Sequence, residues 1–249
     1  MRRGRTLGLV PAKIGSTRLP RKNLLPLGGV SLVGRAVLAG LRSDRCDALV
    51  VSTDDEEIAV EARRYGAEVP FLRPAALGRD PAGVVEVALH ALDALAEQGR
   101  AFDTIVLLLP TSPLRRPQDV AAAVDAYDAA DTPFLLTVVD AGVAPLRALV
   151  VGENARALPL HPEWVHLTGA RAGDFLPRLV RHDGAVSVAN VAALRTARSF
   201  MGQPLAVHRL PAEREIDVDT PADFARAELA LASGVADWIA AEDRPITET

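Results

Sequence analysis

Lys13, Arg18, Arg21 and Lys22 crowd into one short stretch, interleaved with Gly15, Ser16 and Thr17, and Arg5 stands just upstream. A strand that runs into a Gly/Ser loop rich in Lys and Arg suits the cradling of a polyphosphate, because small side chains leave backbone N–H groups open to the anion. The spacing is neither G-x-x-x-x-G-K-[ST] nor G-x-G-x-x-G. A solvated surface loop carries the same charges, so the stretch alone leaves both readings open. Far along the chain, E-I-D-V-D-T-P-A-D-F (215–224) supplies the opposite charge. If 216–219 is extended, Asp217 and Asp219 project from one face about 6–7 Å apart, a spacing at which two carboxylates share a hydrated Mg²⁺. A helix start explains Thr220, Pro221 and Asp223, with Asp219 or Thr220 as N-cap. It gives no reason for Asp217.

These groups need a frame. Apolar runs at 7–10, 48–52, 67–71, 104–109, 134–139, 185–189 and 205–210 alternate with helical patterns at 31–41, 56–65, 83–98, 117–129 and 221–231, followed by a last helix through Trp238. That rhythm predicts a parallel sheet with helices on its faces. Thr53 and Glu56 read as a capping box for the second helix, which Gly66 ends. In such a sheet ligands sit beyond the carboxyl ends of the strands, where loops 11–23, 72–80 and 110–116 fall. Residues 140–182, rich in Gly, Pro, His and Arg, break the rhythm and read as a long loop or an inserted arm.

Composition narrows the partners. A chain of 249 residues is long enough for one large domain. Its net charge of −4 leaves no basic excess for nucleic acid. No apolar run reaches the length of a membrane span. The basic start is broken by Pro11 and Lys13, so no secretory signal is expected, and the chain reads as cytoplasmic. A single cysteine, Cys46, excludes an intramolecular disulfide and a cysteine-based zinc site.

P-A-K-I-G-S-T-R-L-P-R-K-N (11–23), V-V-S-T-D-D-E-E-I-A (50–59), F-L-R-P-A-x-L (71–77), P-T-S-P-L-R (110–115), D-G-A-V (183–186) and I-D-V-D-T (216–220) follow in one order. This ordered set resembles the CMP-sialic acid synthetase (acylneuraminate cytidylyltransferase) family and, more distantly, the CMP-Kdo synthetases. The resemblance implies an α/β fold: a three-layer αβα, mostly parallel, Rossmann-like nucleotidyltransferase sheet built from 1–139 and 183–249. It also implies that 140–182 is an inserted dimerisation arm, making a homodimer. The implied activity is Mg²⁺-dependent transfer of CMP from CTP to a hydroxyl of an acidic sugar, a sialic-acid-like nonulosonate or another 3-deoxy keto acid, with release of pyrophosphate.

The same resemblance assigns roles. Lys22, Asp217 and Asp219 are catalytic, with Mg²⁺ on the two aspartates. Ala12, Lys13, Gly15, Ser16, Arg18, Asn23, Arg73 and Ala82 hold the nucleotide; Thr111, Ser112, Arg115, Asp183 and Arg171 face the acceptor. The chain departs from the family at several points. Lys13 replaces an Arg, Leu109 a Gln, Asp183 an Asn and Ser187 a Tyr, while Gly173 stands where an acceptor-side Arg belongs unless Arg171 takes its place. The nucleotide machinery is therefore expected to be retained and the acceptor pocket rewritten. Another nucleotide such as GTP, a phosphonate acceptor, or a non-catalytic nucleotide-binding protein are the competing readings.

Overall fold

The computed structural model of the chain describes residues 4–78, 83–142, 148–151, 153, 156–163, 179–235 and 238–239. Leu7, Leu9 and Val10, all fully buried, belong to the central strand β1 (Thr6–Ala12). A strand covered on both faces needs an apolar residue at nearly every position, and β1 meets that requirement. A two-stranded turn, β2 (Pro26–Leu27) and β3 (Val30–Ser31), leads into α1 (Leu32–Leu41), capped by the Ser31 hydroxyl. Then come β4 (Ala48–Thr53), α2 (Glu56–Arg64), α3 (Val84–Glu97), β5 (Thr104–Leu107), α4 (Pro117–Ala129) and β6 (Phe134–Asp140). A small antiparallel pair, β7 (Leu149–Val151) and β8 (Ala157–Pro159), precedes β9 (Val180–Asn190), α5 (Val191–Ala197), β10 (Leu205–Arg209) and α6 (Pro221–Ala232).

The six main strands lie in the order β10-β6-β9-β5-β1-β4. β4, β1 and β5 run parallel, as do β6 and β10, and β9 runs antiparallel between the two groups. One apolar core fills the face under α1, α2 and α4 and a second fills the face under α3 and α5. A third, smaller core joins Leu27, Leu32 and Leu114 to Ile216, Val218 and Ala227. It is this third core that brings the C-terminal acidic stretch back to the loops after β1 and β5. Among the described residues no helix is long and apolar enough to cross a membrane.

The βα rhythm holds, with corrections at particular elements. The second helix is not capped by Thr53 and Glu56. Asp55 is the N-cap, accepting the amides of Glu57 at 2.9 Å and Ile58 at 3.2 Å, while Thr53 Oγ1 accepts the amide of Asp55. Asp competes well at an N-cap, and S-T-D-D offers two candidate caps one residue apart. The strand expected at 67–71 survives only as isolated bridges of Glu68 with Val50 and Leu72 with Thr53; Pro70 has no amide to extend the ladder. β5 stops at Leu107, two residues early, and β9 starts at Val180, so 180–182 of the expected insert already pair with β6. Sequence periodicity missed α5, which is only seven residues long. The last helix expected through Trp238 falls partly outside the described residues; Ser233–Val235 form a turn.

The capping correction has a measurable consequence. Asp55→Ala should lower unfolding free energy by about 1 kcal/mol in urea titrations, the usual loss for an N-cap. Glu56→Ala, which removes an exposed pair with Arg63 and the side chain that a Thr53 box would need, should change it by less than about 0.5 kcal/mol. Equal losses in the two variants would restore the Thr53–Glu56 box.

Candidate active site

Beyond Ala12 the chain leaves β1 and turns at once, with the Ser16 amide donating to Ile14 O at 2.9 Å. It re-enters regular structure through Arg21, whose φ of 56° is left-handed, into a 3₁₀ turn over Lys22–Leu24. A non-glycine residue pays strain for that conformation. Here it points successive side chains in opposite directions. Arg21 reaches out to pair with Glu57 on α2. Asn23 turns inward, is 4 % exposed, and donates through Nδ2 to Lys13 O at 2.8 Å, which closes the loop on itself.

Lys22 points across the sheet edge. Its Nζ donates to Val218 O at 3.1 Å and to Asp219 Oδ1 at 2.6 Å, and Arg18 pairs with the other oxygen of Asp219. The basic loop and the acidic segment thus meet, as the sequence reading requires. Ile216 and Val218 are buried in the third core, whereas Asp217 is exposed and Asp219 only half-buried. The alternation keeps both carboxylates out of the core. Thr220 then caps α6 and makes a full capping box with Asp223, so the helix-start features are explained locally and Asp217 is left for another purpose.

Behind this charged contact lies a cavity of about 260 Å³ lined by Lys13, Lys22, Asn23, Arg73 and Thr111 on its polar side, and by Pro11, Leu77, Val84, Val87, Leu109 and Pro110 on its apolar side. Arg73 is anchored twice: its amide donates to Thr53 O at 2.8 Å and its Nη2 to Asp54 Oδ1 at 3.3 Å. Burial lowers its pKa, and Asp54 offsets part of that shift. Asp54 had been hidden in the capping pattern; a buried arginine nearby was the signal that a carboxylate had to face it. Val84 and Val87 of α3 carry no motif, whereas Leu109, which stands where the resembled family has a Gln, does line the cavity.

Other expected residues lie elsewhere. Ala12 is buried at the end of β1, Gly15 is exposed, and Ser16 is half-buried. Ala82 and Arg171 lie outside the described residues. Arg115, expected at the acceptor, does not reach the cavity. It is 3 % exposed and donates from Nη1 to Leu109 O at 3.2 Å and Ala185 O at 2.6 Å. Burial pushes its pKa down to about 10, opposed by the charges of Asp183 and Asp119. Asp183 is also buried, accepting from Thr137 Oγ1 at 2.6 Å and from the Ala185 amide at 3.0 Å. These bonds hold an irregularity in β9, opposite Leu136 and Val138, where Gly184 takes a φ of 75°. Ser112 packs against it: a Cβ on Gly184 would lie 3.3 Å from the Ser112 hydroxyl. Arg115, Asp183 and Ser112 therefore support the site from beneath. His182, which no motif singled out, sits 3.3 Å from Ser187 Oγ; burial lowers its pKa against the charges of Asp183 and Asp217.

Asp217 and Asp219 offer hard oxygen donors, and among the described residues no cluster of three or more metal-ligating side chains forms. Two carboxylates with remaining positions left to water and phosphate oxygens are how Mg²⁺ is commonly held, so the donor set fits that ion. It does not fit zinc, which favours four protein ligands in structural sites.

Comparison with known proteins agrees with the fold. The cytidylyltransferase family profile matches residues 7–164. The CMP-N,N'-diacetyllegionaminic acid synthase of Legionella pneumophila is 30% identical over 238 residues, covering 90% of this chain and 95% of that one. The pseudaminic acid cytidylyltransferase of Campylobacter jejuni is 32% identical over 150 residues, 60% of this chain and 65% of its own. Among solved structures, a CMP:2-keto-3-deoxy-manno-octonic acid synthetase complexed with CTP superposes with a TM-score of 0.67 at 17% identity, covering 92% of this chain and 99% of that one. At that identity the likeness establishes the fold.

The Lys22–Asp219 contact sets a pH signature. Burial raises the Asp219 pKa, but the Lys22 hydrogen bond and charge, with Arg18, outweigh it and hold the carboxyl below its usual range. A carboxyl depressed in the folded state contributes stability that is full above the unfolded pKa and is lost as pH falls through the folded one. Asp219→Asn should therefore flatten the dependence of unfolding free energy on pH between about 5 and 2, where ordinary carboxylates titrate. Parallel curves for wild type and variant would refute the contact.

Proposed function

The chain belongs to the cytidylyltransferase family, and on that premise we propose that it moves CMP from CTP to a hydroxyl of an acidic sugar, a nonulosonate or related 3-deoxy keto acid, releasing pyrophosphate. The observation that carries this reading is the polar half of the 260 Å³ cavity, Lys13, Lys22, Asn23, Arg73 and Thr111, opening where Lys22 meets Asp219 at 2.6 Å. The acceptor class is inferred from relatives whose names specify such acids.

In this reading the acceptor oxygen forms a bond to the α-phosphorus, the bond from that phosphorus to the bridging oxygen breaks, and pyrophosphate leaves with the electron pair. The hydroxyl proton passes to solvent. Such a transfer asks the protein for alignment and charge neutralisation more than covalent chemistry. Lys13, Ser16 and Arg18 bind the triphosphate, and Asn23 and Arg73 orient base and ribose along the apolar wall of Leu77, Val84, Val87 and Leu109. Lys22 stabilises charge on the α-phosphate oxygens during transfer. Mg²⁺ held by Asp217 and Asp219 would supply further neutralisation and acidify the attacking hydroxyl.

We assign the segment between β6 and β9, residues 141–179, as an inserted arm that pairs two copies of the chain. Supporting this, Val151 and Leu158 of the β7–β8 pair are 69% and 73% exposed, and an isolated two-stranded hairpin has little stability of its own.

A pyrophosphate-release assay over CTP, GTP, UTP and ATP, each with N-acetylneuraminate, N,N'-diacetyllegionaminate and 3-deoxy-manno-octulosonate, should give turnover with CTP and one of these acids. Turnover with GTP in place of CTP, or CTP binding with no release from any pair, would overturn the proposal. Asp219→Ala should abolish metal-dependent turnover. Lys22→Ala should lower kcat by about 10²-fold, the scale of losing one charge-stabilising donor.

A further inference from the structure

The acidic segment is not part of the sheet. Between the 3₁₀ turn Ala212–Arg214 and α6, its long-range backbone hydrogen bond among the described residues is Val218 N to Thr111 O at 2.8 Å. A strand in a ladder is held along its whole length, whereas a segment held this way takes its position from side chains. Ile216 and Val218 anchor it by burial, which fixes depth but allows sliding. Direction must come from polar groups. Glu215 pairs with Arg181, but that arginine is 52% exposed, and exposed pairs restrain little.

Arg214 differs. Its Nη2 donates to Asp119 Oδ1 at 2.6 Å, with the side chains only 13% and 8% exposed. The other oxygen of Asp119 accepts the Arg116 amide at 2.8 Å, which pins the carboxylate at the first turn of α4. There the helix dipole also favours an anion. The loop that leads into this turn carries Thr111, so one rigid helix start supports both the cavity wall and the root of the acidic segment.

We propose that the largely buried Arg214–Asp119 pair is a positioning device that helps set where Asp217 and Asp219 stand relative to Lys22 and the cavity mouth. The role rests on the reading of Asp217 and Asp219 as metal-holding carboxylates. A planar guanidinium bonded to a fixed acceptor defines direction as well as distance, which a lysine or an apolar contact does not. Arg214 fixes the start of the segment, Val218 its middle, and the Thr220 cap its end. Loss of the first anchor leaves Asp217 and Asp219 held mainly from their C-terminal side, by the Val218 amide, the Lys22 and Arg18 bonds and the Thr220 cap.

The test compares Asp119→Asn, which keeps an acceptor oxygen for the helix cap but loses the charge facing Arg214, with Arg214→Met, their double variant and Glu215→Gln. Mn²⁺ held by the protein–CTP complex beyond that held by free CTP is counted by electron paramagnetic resonance. CTP affinity without metal is measured by calorimetry in EDTA. Both single variants should weaken Mn²⁺ binding by about tenfold or more, the loss typical when a group supporting a metal ligand is removed. Metal-free CTP affinity should stay unchanged, and the double variant should be no weaker than either single one, as for two residues acting through one bond.

Unchanged Mn²⁺ affinity in Asp119→Asn would overturn the role. So would an equal loss of metal-free CTP binding, or an equal effect from Glu215→Gln. If Arg214→Met fails to fold, Asp119→Asn decides alone. A wild-type CTP complex that holds no extra Mn²⁺ would sink the metal reading of Asp217 and Asp219, and the positioning role with it.

Discussion

A charged hydrogen bond between Lys22 and Asp219, spanning 197 residues of sequence, joins the two ends of the fold into one site. Neither partner reaches the other unless several elements are in place. The loop after β1 must turn back through a left-handed Arg21, and Asn23 must close it. Ile216 and Val218 must sink into the third core so that the intervening aspartates face out. The pair lies where solvent is partly excluded, and a Coulomb interaction there is stronger than the same contact in bulk water. The same partial burial raises the cost of a cation or an anion left alone. Lys22, with Arg18, therefore holds the Asp219 carboxyl in its ionised form before any ligand arrives.

Much of this was legible in the sequence because it depends on short-range rules. Apolar periodicity gave the strands and long helices, and the strand-edge rule placed loops 11–23 and 110–116 at the site. The alternation of Ile216, Asp217, Val218 and Asp219 announced which side chains would face out. What stayed hidden depends on long-range neighbours. Asp55 rather than Thr53 caps α2 because both residues can cap, and only the path of the chain decides. A seven-residue helix such as α5 has too few turns for a period to emerge. The apolar wall of Val84 and Val87 looks like core from sequence, since one residue type serves both purposes.

Arg115 and Asp183 carry a different lesson. Ionisable residues in a motif are readily taken for ligand contacts, yet both are buried and bonded to the protein itself. Arg115 meets two carbonyl oxygens, one from the cavity wall and one from the irregular stretch of β9, so a cation serves as a strut between backbone segments. A guanidinium suits this use because its several donors lie in one plane and reach separate acceptors. The acceptor-side differences from the resembled family thus divide in two. Asp183 belongs to the support, whereas Leu109 lies in the lining itself.

The placing of β9 bears on how the molecule is made. It lies between β5 and β6 but follows both in the chain, so a growing polypeptide has already produced the β4-β1-β5 group and a separate β6 when this strand is synthesised. Contacts so distant in sequence are slow to form, and until β9 arrives β5 and β6 keep open edges that invite aggregation. The carboxylates that complete the site follow later still. A nascent chain has its cationic loop early and its acids last, and order of synthesis withholds the Lys22–Asp219 contact until the sheet can close.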